Sequence, residues 1–305
     1  VVTHNVLTSG LLPKNMGWSD DGYRDTTGLL PGTNPFWIPS SWSRQDMFTV
    51  QESIGKRRLP DYLKAADPTA KTFAVSPKGY AAWAFGGPTA DSIITFGSNT
   101  SCGDTNRRGP SGVNVPAYIA QPCPLDGNRY TTGKEDDHLG GDVWATDIAL
   151  DIMDNENWNG IFLTLPDVDK NAHMWGGVDD DEGAGLLDPD PMTHMKFAAK
   201  TADEQVGRVM DKLRADGELD DTLVVLTADH GSVPGRDFLG TQNPELNYGY
   251  YNWYYGEAAN DAPYLKPQDA LKPLTDTDNV GLSYSDSMLR AWLKDPGFEF
   301  GLPLA

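Results

Sequence analysis

The chain has 305 residues, with 24 basic against 44 acidic side chains for a formal charge of −20, and 39% hydrophobic content including nine Trp. That much apolar material can bury a core in one large domain or two modest ones, which excludes a wholly disordered chain. A pI of about 4.4 means a surface that repels a phosphate backbone and argues against nucleic-acid binding as the main role. No run of 18 uninterrupted apolar residues is present to span a membrane.

The opening "VVTHNVLTSG" carries neither Met nor a signal peptide and reads as the middle of a longer sequence. Residues 35–140 match no recognisable pattern. Their Trp37, Trp42 and Trp83 read as core rather than as a base-stacking platform. Within this stretch, "GSNTSCGDTNRRGPSGVNVPAYIAQPCPLDGNRY" is rich in turn-forming residues and holds the two cysteines, Cys102 and Cys123. A pair bracketing one loop predicts a disulfide, which would stabilise by about 3 kcal/mol in the chain-entropy model and which points to an exported protein. A cap or insertion is expected within 85–140 of a single domain covering 1–305.

From residue 140 the pattern sharpens. "GGDVWATDIALDIMDNENW" spaces Trp144, Ile148 and Ile152 four apart, with Ala145, Ala149 and Met153 beside them, which predicts a helix with one apolar face. "NGIFLTLPDVDKNAH" then predicts a strand from Ile161 to Leu165, ended by Pro166. Met195, Ala198, Ala202, Val206, Val209 and Leu213 lie at helical spacing, and Gly217 is placed to stop that helix. "TLVVLTADHG" follows at once. Its continuous apolar run predicts a strand buried on both faces, as in a parallel sheet. A last helix is predicted from Met288, Leu289, Trp292 and Leu293. Alternating helices and strands with short connections predict an α/β fold, a mostly parallel sheet covered on both faces.

Two acidic and histidine clusters fall at the ends of two predicted strands: Asp167, Asp169 and His173 in the first, Asp229 and His230 in the second. Ligands of open α/β sheets bind just past such strand ends, and neighbouring strands would open both clusters into one crevice. Carboxylate with imidazole suits zinc or a similar metal. "DVDKNA" begins like a calcium-binding EF-hand loop but fails it, with Ala172 where Gly is needed and Val178 where a bidentate Glu is needed. The run "VDDDEG" is a candidate for a structural calcium, set against a solvated acidic face. His4 reads as a packing residue near the site, and His138 and His194 as surface or capping residues. For Asp229 the competing reading is a turn-capping carboxylate.

"VVLTADHG", an upstream D-x-x-x-H after a strand, and the opening "THNVLTSGLLPKNMGWSDDGYRD" together resemble the alkaline phosphatase superfamily, most closely its nucleotide pyrophosphatase/phosphodiesterase branch. The resemblance implies a three-layer α/β sandwich with an inserted loop-rich region, and two divalent metal ions, commonly zinc, flanking a Thr or Ser nucleophile. It makes Asp229 and His230 one metal pair and Asp169 and His173, four apart, the other, with Asp167 as runner-up to Asp169. By the same alignment the nucleophile falls just before Val1, leaving Thr3 as the nearest hydroxyl, on a position where the family has Asn. Asp21, with Asp20, falls where the phosphodiesterases place an Asn that binds the phosphate. The family's last metal-binding His has no counterpart, since no His follows His230. Sulfatase activity is disfavoured because neither Cys lies in a C/S-x-P-x-R motif.

These features imply a secreted, metal-dependent hydrolase of phosphoric esters, acting on a phosphodiester, nucleotide pyrophosphate or monoester through a covalent phospho-enzyme. Its partner is a small-molecule phosphate ester, with no nucleic-acid or membrane-spanning role, and the sequence sets no oligomeric state. The alternative is a non-catalytic metal-binding or structural domain with an incomplete superfamily site. A superfamily mutase is a third option.

Overall fold

In a computed structural model of the chain, residues 2–19, 22–23, 25, 27–30, 43–98, 108–119, 140–169, 194–231, 280–285 and 288–293 are described. The chain divides into two compact units. One comprises Val1–Tyr62, Trp83–Thr89 and Pro263–Ala305, the other Leu63–Ala82 and Ala90–Ala262.

In the first unit, α1 (Val2–Ser9) and α2 (Pro13–Met16) lead to a two-stranded antiparallel pair, β1 (Trp18–Ser19) and β2 (Gly22–Tyr23). Proline starts α2 where an N–H would be unpaired anyway, and Gly17 ends it in the left-handed region at φ 74°. A Cβ at Gly17 would also stand 3.0 Å from the Tyr23 ring. α3 (Arg44–Ser53) opens on a capping box, in which Ser43 Oγ accepts from the Asp46 N–H at 3.1 Å while Asp46 Oδ2 accepts from the Ser43 N–H at 3.3 Å. Its buried Gln51 donates from Nε2 to Asn5 Oδ1 of α1 at 2.7 Å. His4 is buried, edge-on to Phe85 with ring centroids 4.8 Å apart, in agreement with a packing role. Thr3 is the second residue of α1 and partly buried. α4 (Leu59–Ala66) begins in this unit, and β7 (Val280–Ser285) and β8 (Met288–Leu293) pair antiparallel within it.

The second unit is built on a four-stranded sheet in the order β5-β4-β3-β6, with β3 (Thr72–Val75), β4 (Ser92–Ser98), β5 (Arg108–Val113) and β6 (Gly160–Leu163). β3 pairs in parallel with both β4 and β6, and β5 runs antiparallel to β4. The fold is therefore α/β with a mixed, mostly parallel sheet, as an alkaline-phosphatase-like architecture requires. All four residues of β3 are buried, as befits an interior strand, while β6 is half-buried along its length. α5 (Gly79–Gly86) follows β3. α6 (Gly140–Asn155) places Trp144, Ala145, Ile148 and Ile152 against Phe73, Val75, Ile94 and Ile119 to form the core. α7 (His194–Asp216) packs on α6 and is tied to it by Arg208 Nη2 on Asp147 Oδ1 at 2.6 Å and Lys212 Nζ on Asp154 Oδ1 at 2.5 Å. It ends at Gly217, φ 76°, the stop read from the sequence.

Two predicted elements differ from those observed. Residues 222–228 leave α7 through a short 3₁₀ turn and run without regular secondary structure, and the apolar side chains lie open, with Leu223 88%, Val225 72% and Leu226 76% exposed. Burial on both faces needs a strand partner on each side, and among the described residues this run has neither. Met288, Leu289, Trp292 and Leu293 belong to strand β8 rather than to a helix. A short apolar run is ambiguous by periodicity alone, and the β-forming stretch "VGLSYS" just upstream supplies a full antiparallel ladder. The stretch expected to hold a cap contributes β4 and β5 to the central sheet; Cys102 and Cys123 lie outside the described residues.

Gly112, opposite Ile94 on β5, adopts φ 148°, and a Cβ there would stand 1.8 Å from the Ile93 carbonyl oxygen. Gly112→Ala should lower stability by about 2 kcal/mol or more, read from the midpoint of chemical denaturation.

Candidate metal centre

Because β3 and β6 are parallel neighbours with Val75 opposite Leu163, the chain leaves both strands at the same end of the sheet. Past β3 come buried Ser76, whose Oγ accepts from the Lys78 N–H at 3.1 Å, and then the Lys78 side chain. Past β6 the pairing continues one step, with the Thr164 N–H donating to the Val75 carbonyl at 3.0 Å. Buried Pro166 then turns the chain into a single helical turn at 167–169. Lys78 Nζ and Asp169 Oδ2 meet across the two strand ends at 2.9 Å, both side chains partly exposed at 32% and 20%.

Asp167 does not face this opening. It is 3% exposed, its Oδ2 accepts the Asp142 N–H at 2.8 Å, and its own N–H donates to Asp142 Oδ1 at 3.0 Å. Each carboxylate thus accepts the other residue's backbone N–H. On the α6 side this satisfies one of the unpaired donors of the helix's first turn, where the helix dipole also favours negative charge. Gly141 makes room for the approach, since a Cβ there would lie 2.6 Å from Asp167 Oδ1. Burial pushes the Asp142 carboxyl up to about 7, against the smaller opposing effect of the Asp167 backbone hydrogen bond. The carboxyl is fully buried, and its Oδ2 has no hydrogen-bond partner.

The run after α7 brings Asp229 and His230 to Asp169. His230 Nδ1 lies 3.1 Å from the Gly231 carbonyl oxygen, which can only accept, so this contact is a hydrogen bond when Nδ1 carries a proton, and the tautomer protonated there alone has its lone pair on Nε2. That nitrogen faces Asp229 Oδ2 at 3.5 Å and Asp169 Oδ1 at 3.8 Å. In that tautomer the nitrogen and the two carboxylates repel unless a cation joins them, either a metal ion or the second proton of an imidazolium. In a tetrahedral zinc site with bonds near 2.0–2.2 Å, ligand atoms stand about 3.4 Å apart, close to both contacts. Among the described residues, no group of three or more His, Cys, Asp or Glu is arranged so that it could hold a metal ion. The donor types are those a divalent cation takes, and the two contacts of His230 Nε2 are near the ligand separation of such a site.

Of the residues singled out in the sequence, Asp169, Asp229 and His230 are brought together. His173 and Asp21, like the acidic run 178–183, lie outside the described residues. Of the two carboxylates weighed in the sequence, Asp169 goes to the opening and Asp167 to the α6 terminus. Sequence reasoning missed Lys78 and Asp142. A Lys closely following the run "TFAV" and an Asp at the head of an amphipathic helix were visible signals, but partners 91 and 25 residues away were not.

The family model for sulfatases matches residues 164–267. Sulfatases are metal-dependent hydrolases of the alkaline phosphatase superfamily, so this stretch, which carries Asp169, His173, Asp229 and His230, is similar to hydrolases of sulfate or phosphate esters. The matched stretch contains no Cys. No curated protein matches the chain.

The raised Asp142 carboxyl sets a pH dependence. Between about pH 4 and about pH 7 the unfolded chain releases this proton while the folded chain keeps it, so this group's contribution to stability falls as pH rises through that window and levels off above it. Asp142→Asn, whose amide oxygen can still accept the Asp167 N–H, should remove that slope, measured as denaturation midpoints from pH 4 to pH 8.

Proposed function

We propose that the protein is a secreted, metal-dependent hydrolase of phosphoric esters, with phosphodiesters and nucleotide pyrophosphates preferred over monoesters. The observation that carries this reading is His230 Nε2 turned toward two carboxylate oxygens at 3.5 and 3.8 Å. Asp229 and His230 hold one divalent cation, zinc first among the candidates, and Asp169 with His173 holds a second beside it. The likeness of residues 164–267 to the sulfatase family supports ester hydrolysis as the class of reaction.

When bound, such cations supply Lewis acidity at the phosphoryl oxygen and lower the pKa of an attacking hydroxyl. The chain's own residues do the rest. The Gly231 carbonyl holds the proton on His230 Nδ1 and keeps Nε2 available as a ligand. Lys78, partly exposed, places positive charge beside Asp169 at the rim, offsetting acidic side chains that would otherwise repel an ester anion. A Thr or Ser hydroxyl gives up its proton and forms an O–P bond as the ester O–P bond breaks and the alcohol leaves with a proton, and water then cleaves the new O–P bond to release the phosphate product and restore the hydroxyl. Thr3 is the nearest candidate in the sequence, and Asp21 occupies the sequence position at which the phosphodiesterases have a phosphate-binding Asn. A Cys102–Cys123 disulfide fits the export reading.

Protein purified without chelator should contain zinc by elemental analysis. Asp229→Asn and His230→Ala should lose most of it, and with it at least about 100-fold of the hydrolysis of a chromogenic phosphodiester. A chromogenic sulfate ester should turn over more slowly than the phosphodiester. Metal-free wild-type protein with an intact fold would overturn the reading.

A further inference from the structure

Asp169 would have to be presented by a chain segment that has already left the sheet. Beyond the Thr164 N–H on Val75, the next fixed point of the backbone is the Asp167 N–H on Asp142 Oδ1 at 3.0 Å, returned by the Asp142 N–H on Asp167 Oδ2 at 2.8 Å. Asp169 follows two residues later in the same helical turn. The far end of the lock is α6, whose Trp144, Ala145, Ile148 and Ile152 are in the core, and the Asp142 carbonyl also accepts from Thr146 Oγ1 at 2.9 Å. The turn is thereby fixed to the most deeply anchored helix of the unit.

The lock costs stability. Asp142 is fully buried and its Oδ2 has no hydrogen-bond partner, and stripping water from an unpaired carboxyl oxygen is unfavourable. Gly at 141, which weakens a helix start relative to Ala, is needed to let Asp167 approach. Costs accepted at both ends of one contact are accounted for by what the contact positions.

We propose that Asp142, acting through Asp167, is a positioning residue for Asp169, and that Gly141 is part of the same device. The proposal rests on the metal-binding reading above. Outer residues that orient metal ligands typically account for 10- to 100-fold in metal affinity. In the full chain, titration with zinc alone against a competing chelator should show Asp142→Ala and Gly141→Ala binding about tenfold or more weakly than wild type, with near-ultraviolet circular dichroism unchanged. Asp142→Asn, which keeps the acceptor for the Asp167 N–H, should stay within a few-fold of wild type. Folded Asp142→Ala with wild-type affinity, or Asp142→Asn as weak as Asp142→Ala, would overturn the proposal and leave the metal reading standing. If Asp142→Ala does not fold, Gly141→Ala decides, and wild-type affinity there overturns it. A wild-type protein that binds no zinc overturns both.

Discussion

The second unit depends on one constraint: a parallel sheet delivers its strand ends to one side, and something other than the sheet must then hold the chain beyond them. For β6 that something is the exchange of backbone hydrogen bonds between Asp142 and Asp167. It joins the first turn of α6 to the segment carrying Asp169, while the Lys78 ammonium on Asp169 Oδ2 leaves Oδ1 toward His230. A covered helix, a buried turn and an open carboxylate are thus one connected arrangement. Each member has a physical role: the helix supplies burial, the lock supplies direction, and Asp169 stands paired with Lys78 at the opening.

Asp167 and Asp169 show how environment divides labour between identical side chains. Both follow β6 and differ by two positions in the chain, yet one is 3% exposed on a helix terminus and the other stands at a solvent-reached opening. A carboxylate committed to backbone N–H groups has little capacity left for a cation, whereas a second oxygen turned toward an imidazole keeps it. His230 is divided in the same way, with one nitrogen spent on the Gly231 carbonyl and the other presented to the carboxylates.

The elements legible in the sequence are those whose signal is local and repeated. Trp144, Ile148 and Ile152 mark α6 because one face of a helix must be apolar for several turns, and Gly217 marks the end of α7 because few other residues adopt its backbone angle readily. Asp169, Asp229 and His230 stood out because each follows a strand-like run, although only the run before Asp169 is a strand. β3, β4 and β5 were not, since runs such as "TFAV" are too short to carry a period, and their strand character comes from neighbours distant in the chain. The same dependence on partners explains the two misread elements. The letters of 222–227 and of 288–293 specify apolar segments, and only the neighbours alongside decide whether such a segment enters a sheet, and in which form.

The open run at 222–226 has a colloidal consequence. Leu223, Val225 and Leu226 are exposed beside backbone groups that have no ladder among the described residues, the kind of surface on which another molecule's strand can nucleate. The formal charge of −20 opposes that encounter, because two such molecules repel before their apolar segments meet. This protection is electrostatic and so has a range, about 10 Å at 0.1 M salt and about 3 Å at 1 M. The net acidic charge is then what keeps these molecules apart in dilute salt, and concentrated salt removes that separation.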